Sequence, residues 1–100
     1  MLLHIVNKSP FINNSLESCL RAAKKNSGVL FIEDGVYGAL DNTAITPQVK
    51  KAMKDKKFFV LASDLKARGV SDGVIKGIEV VDYGGFVDLT TQYDVVESWL

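Results

Sequence analysis

Four apolar residues in a row, Val29-Leu30-Phe31-Ile32, restrict this chain more than any other stretch. Both end residues are β-branched, and a run of this kind cannot alternate between a wet and a dry face. It therefore reads as a strand covered on both sides, the mark of a central strand in an α/β sheet. Glu33-Asp34-Gly35-Val36-Tyr37 follows at once. The chain leaves the sheet there, at the carboxyl end of a strand, where open α/β sheets tend to place their sites.

The flanking sequence fits that frame. Leu2-Leu3-His4-Ile5-Val6 is a second short apolar run, closed by Asn7-Lys8-Ser9-Pro10, and predicts the first strand. Asn14 and Glu17 have the spacing of a capping pair, so a helix is expected from Ser15, with Leu16, Cys19, Leu20 and Ala23 on one stripe and Gly28 at its end. Strand, helix and strand make a βαβ unit with a parallel sheet. Further on, a short helical turn is expected over 36–40 and a helix from Pro47 to about Lys54. A third strand is expected over 58–62, a short helix capped by Ser63 or Asp64 and closed by Gly69, and a fourth strand over 78–81. Asp82-Tyr83-Gly84-Gly85 reads as a turn, and Phe86, Val87, Leu89, Thr90 and Tyr93 as one helix face. The tail Val95-Val96-Glu97-Ser98-Trp99-Leu100 is expected to form a final helical turn or two, folded back on the sheet or meeting another subunit. The prediction is one domain over residues 1–100, an α/β three-layer sandwich with a mainly parallel sheet of four to five strands in a flavodoxin-like order.

One hundred residues leave roughly a third of the unfolded surface wet even in a compact fold. With 47% hydrophobic residues and a mean hydropathy of +0.11, the chain is a candidate for partner surfaces. Twelve cations balance twelve anions, so nothing in the overall field calls for nucleic acid or an anionic membrane. The clump Lys50, Lys51, Lys54, Lys56, Lys57 reads as a solvated helix face. No run reaches the roughly 18 apolar residues of a membrane helix, and no secretory leader opens the chain, so a cytoplasmic protein is expected.

Few residues offer chemistry. Neither the dinucleotide nor the phosphate-loop glycine pattern occurs, and no nucleophile elbow is present. His4, Cys19 and Glu33-Asp34 lack metal-ligand spacing, so no metal and no cofactor is expected. Glu33 and Asp34 could form an acid and base pair, but adjacent strand residues face opposite ways, which favours a turn-capping role for Asp34. His4, inside a strand, reads as a hydrogen-bonded core residue. Cys19 is the only cysteine, and its residues leave two readings open: a reactive thiol, or an inert packing group on the stripe of Leu16 and Leu20.

Four stretches taken together resemble the DsrH/TusB family. They are His4-x-Val6-Asn7-Lys8-Ser9-Pro10-Phe11, Glu33-Asp34-Gly35-Val36-Tyr37-x-Ala39, Asp64-Leu65-x-Ala67-Arg68-Gly69 and Val81-Asp82-Tyr83-x-x-Phe86-Val87-x-Leu89-Thr90. The resemblance implies a DsrE/F/H-like fold and a place in a cytoplasmic heterohexamer with DsrE/TusD-like and DsrF/TusC-like subunits. Such complexes take sulfur from a TusA-like donor and pass persulfide sulfur to a DsrC/TusE-like acceptor, with this chain as an accessory subunit of a sulfurtransferase complex. The destination is dissimilatory sulfur oxidation in the Dsr branch and the tRNA wobble 2-thiouridine in the Tus branch. DsrH-type sequences carry a cysteine in the first helix, which Cys19 matches, and this favours the Dsr branch. Under the resemblance Cys19 is the candidate persulfide carrier or acceptor-docking residue, with a purely structural subunit as the bland alternative.

Overall fold

The structure, a computed structural model, describes residues 1–99. Five strands form one sheet: β1 (Leu2–Val6), β2 (Gly28–Phe31), β3 (Lys57–Leu61), β4 (Glu79–Val81) and β5 (Val95–Trp99). Their order is β4-β3-β2-β1-β5 and every pairing is parallel. The helices are α1 (Ser15–Ala22), α2 (Thr46–Ala52), α3 (Ala62–Ala67) and α4 (Tyr83–Gln92), with 3₁₀ segments at Glu33–Ala39 and Ser71–Gly73.

Strand order decides which face each helix covers. From β1 to β4 the chain steps in one direction across the sheet, and right-handed crossovers put all those connections on one face. That face packs Val6, Val29, Phe31, Phe58 and Val60 against Leu16 and Cys19 of α1, Val36 and Ala39 of the 3₁₀ segment, Val49 of α2 and Leu65 of α3. The step from β4 back to β5 runs the other way and puts α4 alone on the opposite face. There Leu3, Ile5, Leu30, Phe59, Leu61 and Val81 meet Leu89 and Tyr93. The register keeps the two sets apart, since Val6, Phe31 and Val60 lie in one row across the sheet. Order reverses between β1 and β5, which makes that pair the switch point of the sheet.

Several boundaries differ from expectation, each for a local reason. The tail is a strand rather than helical turns. Parallel pairing of Leu2–Val6 with Val95–Trp99 uses the backbone groups that β1 would otherwise leave bare, and it folds the tail into the sheet itself. Helix α1 ends at Ala22, where Ala23 turns extended. The chain then turns through Asn26, at φ +71°, whose N–H donates to Asp55 O at 2.7 Å, so Gly28 opens β2 instead of closing the helix. At the other end of α1, the Ser15 N–H is taken by Asn13 Oδ1 at 2.6 Å, and Asn14 makes no side-chain cap. Helix α3 starts one residue before Ser63, with no side-chain cap. The stretch 82–85 is the start of α4, because the Asp82 carboxylate accepts the Gly85 N–H at 2.7 Å and turns the chain directly into helix.

Candidate functional site

At the carboxyl edge of the sheet, two of the sequence motifs meet across thirty residues. Glu33 adopts a left-handed backbone, φ +50°, which is costly for a residue with a side chain. The turn is held because its N–H donates to Asp64 Oδ2 at 2.7 Å. Asp34 Oδ1 accepts from both Nε and Nη2 of Arg68 at 2.9 Å, and Arg68 Nη1 also donates to the Asp64 carbonyl at 3.1 Å. Gly35 permits this path: a Cβ there would stand 2.0 Å from the Val6 carbonyl oxygen. Thus Glu33-Asp34-Gly35 and Asp64-x-x-x-Arg68 are two halves of one clamp. Asp64 rather than Asp34 stabilises the turn, and Asp34 is the anion that fixes Arg68. The Glu33 and Asp34 side chains are exposed, and Asp34 is occupied by the guanidinium, so the pair is not arranged as an acid and base around a shared cleft.

Cys19 lies on the face that α1 turns toward β1 and β5. It is fully buried among residues that include Val6, Leu16 and Phe31, with Trp99 packed against the same cluster. Burial pushes its thiol up to about 12, Glu97 adding to the rise and Lys56 opposing it. In this fold the thiol is closed off from solvent. His4, only 2% exposed, receives the Trp99 Nε1–H on Nδ1 at 3.0 Å, and the rings lie 6.0 Å apart and tilted by 49°. Burial lowers its pKa, with Glu97 raising and Lys56 lowering it. Because Nδ1 accepts the Trp99 N–H it carries no proton, so the ring proton is on Nε2, which has no partner within the described chain. This agrees with His4 as a hydrogen-bonded core residue.

The Trp99 partner was not readable from sequence: the two residues are 95 positions apart, and only the parallel register of β5 on β1 brings them together. Among the described residues no cluster of His, Cys, Asp or Glu could hold a metal ion, and no helix is long and apolar enough to cross a membrane. The lysine clump is not one helix face: Lys50 and Lys51 are exposed on α2, Lys54 and Lys56 fall in the turn after it and Lys57 opens β3, with Lys56 half-buried and paired with Asp55 at 2.8 Å.

Comparison with known proteins places the chain among relatives over almost its whole length. The family described as "DsrH like protein" matches residues 8–96. Protein TusB of Pectobacterium parmentieri is 27% identical over 99 residues, covering 98% of this chain and all of the relative. Protein TusB of Escherichia coli K12 is 29% identical over 98 residues, with coverage of 98% and 100%. In fold, the chain is similar to the crystal structure of the ychN protein from E. coli, with a TM-score of 0.81 at 17% identity over 97% of each chain.

Proposed function

The chain belongs to the DsrH family, and from that membership we propose that it is a subunit of a heterohexameric sulfur-relay complex, built with TusC/DsrF-like and TusD/DsrE-like sisters. In such a relay a thiolate attacks the outer sulfur of a donor persulfide. The S–S bond breaks, the donor leaves as a thiolate, and the attacking cysteine becomes the new persulfide. The complex would receive sulfur from a TusA-like donor and deliver it to a DsrC/TusE-like acceptor. Full-length relatives named TusB support the tRNA wobble 2-thiouridine branch as the destination. One observation favours the sulfur-oxidation branch instead: the cysteine in the first helix, Cys19.

The observation that defines this subunit's part is the burial of Cys19. A transfer station needs an accessible thiolate, and the burial of Cys19, which pushes its thiol up, supports placing that role on another subunit. A carrier role would require α1 to lift from the sheet and uncover the core beneath it. We therefore assign sulfur carriage to a sister subunit, and to this chain the building of the complex and its surface. Mass spectrometry after polysulfide loading of the assembled complex tests this: added sulfur is expected on a sister subunit and none on this chain. A persulfide on this chain that disappears in Cys19→Ser would overturn the assignment and restore Cys19 as a carrier.

A further inference from the structure

The two edges of the sheet are built differently. β4 is three residues long and opens on Glu79, and a short charged edge resists pairing with other chains. β5 is five residues long, contains neither lysine nor proline, and leaves Val95 57% and Val96 40% exposed. Its backbone direction is set by its start, where the Val95 N–H donates toward the Met1 carbonyl on the β1 side at 3.4 Å. Alternation along the strand then turns the N–H and C=O of Val96 and Ser98 outward, away from β1. Nothing within the described chain covers that row.

Beside the edge runs a groove between α1 and β5. One depression lies at Ser18, Arg21, Ala22 and Trp99, and adjoining it through Ala22 and Trp99 is a cleft of about 550 Å³ lined by Leu2 and His4 of β1, Val95 and Glu97 of β5, and Lys24 and Lys25. Arg21, Lys24 and Lys25 are exposed. Arg21 meets Glu17 at 3.8 Å on the surface of the same helix, an interaction of little strength. Of the two acids lining the cleft, Asp94 is taken by the N-terminal ammonium and Glu97 faces Lys24 and Lys25, while Asp55 lies within electrostatic reach of Lys25 from outside the cleft. A second copy of this chain would bring the same three cations and a second Glu97 against the first set, so like charges oppose self-pairing.

We propose that the free edge of β5 binds an extended acidic peptide segment of a partner protein by strand addition. The segment's backbone pairs with Val96 and Ser98, and its carboxylates meet Arg21, Lys24 and Lys25. This holds whether or not the chain serves a sulfur relay, and its test is separate from that of the relay. The full chain is titrated against a fluorescent peptide of alternating glutamate and valine and against the lysine and valine counterpart, with hydrogen exchange measured in parallel. Saturable binding of the acidic peptide alone is expected, with the amides of Val96 and Ser98 gaining protection. Ser98→Pro removes an outward N–H and spares the β1 ladder, and is expected to weaken binding at least tenfold. The triple variant Arg21→Glu, Lys24→Glu, Lys25→Glu on the surface of the helix and the following turn is expected to do the same, and it keeps the test decisive if the proline variant fails to fold. Absence of saturable binding, equal binding of the lysine peptide, or dimerisation through β5 in place of peptide binding would each overturn the proposal.

Discussion

Gly35 shows how narrowly one residue can fix the path of this chain. Its Cα passes so close to β1 that a methyl group would overlap the Val6 carbonyl, an oxygen already engaged by the Ile32 N–H at 3.0 Å. Both groups are backbone and neither can rotate away. Gly35→Ala is expected to cost about 3 kcal/mol, read as a lowered urea midpoint, and an unchanged midpoint would contradict the packing described. His4 makes a second prediction at this scale. Its folded pKa lies below the ordinary value of 6.5, so near and below that pH the unfolded chain binds a proton that the folded chain refuses. Its contribution is complete above pH 6.5 and is lost as pH falls from there toward the folded value. Urea midpoints measured from pH 8 to pH 5 are expected to decline across that window in the native chain and to stay level in His4→Gln. A decline of equal size in both would assign the effect elsewhere. At the residue scale the sequence revealed which residues mattered more readily than what they touch. Glu33, Asp34, Asp64 and Arg68 all stood within quoted motifs, but their meeting depends on the neighbouring of β2 and β3, and no local pattern carries that information.

Among the elements, the central strands were legible through their burial. β2 and β3 are covered on both faces, and the apolar runs Val29–Phe31 and Phe58–Leu61 within them announced them. β5 has only its last residue half-buried, so burial imposed no period on it, and the pair of valines with Trp99 was as compatible with a helix stripe as with a strand. The start of α4 was obscured differently. Tyr83-Gly84-Gly85 is poor helix sequence by intrinsic preference, and the helix forms there because Asp82 caps it and Gly85 sits close against Val81. Asp82→Ala is accordingly expected to cost about 1 kcal/mol, measured by chemical denaturation. A neutral result would mean that packing of Leu89 and Tyr93, and not the cap, holds the helix in place.

For the molecule as a whole, the unequal layers matter most. One face of the sheet carries three helices and two 3₁₀ segments, while the other carries α4 alone, with Tyr83 and Val87 of that helix exposed and Phe11 and Ile12 exposed on the loop after β1. A chain of 100 residues has little apolar surface to spare, and leaving large side chains in water is the expected cost of surfaces that other chains cover. This agrees with the family membership and with a subunit whose sole cysteine is shut inside the core. The most direct test is native mass spectrometry of this chain co-expressed with a TusC/DsrF-like and a TusD/DsrE-like protein, the sisters proposed for it. The account predicts a stoichiometric complex holding two copies of each of the three chains. A stably folded lone monomer that leaves its sisters unbound would contradict it.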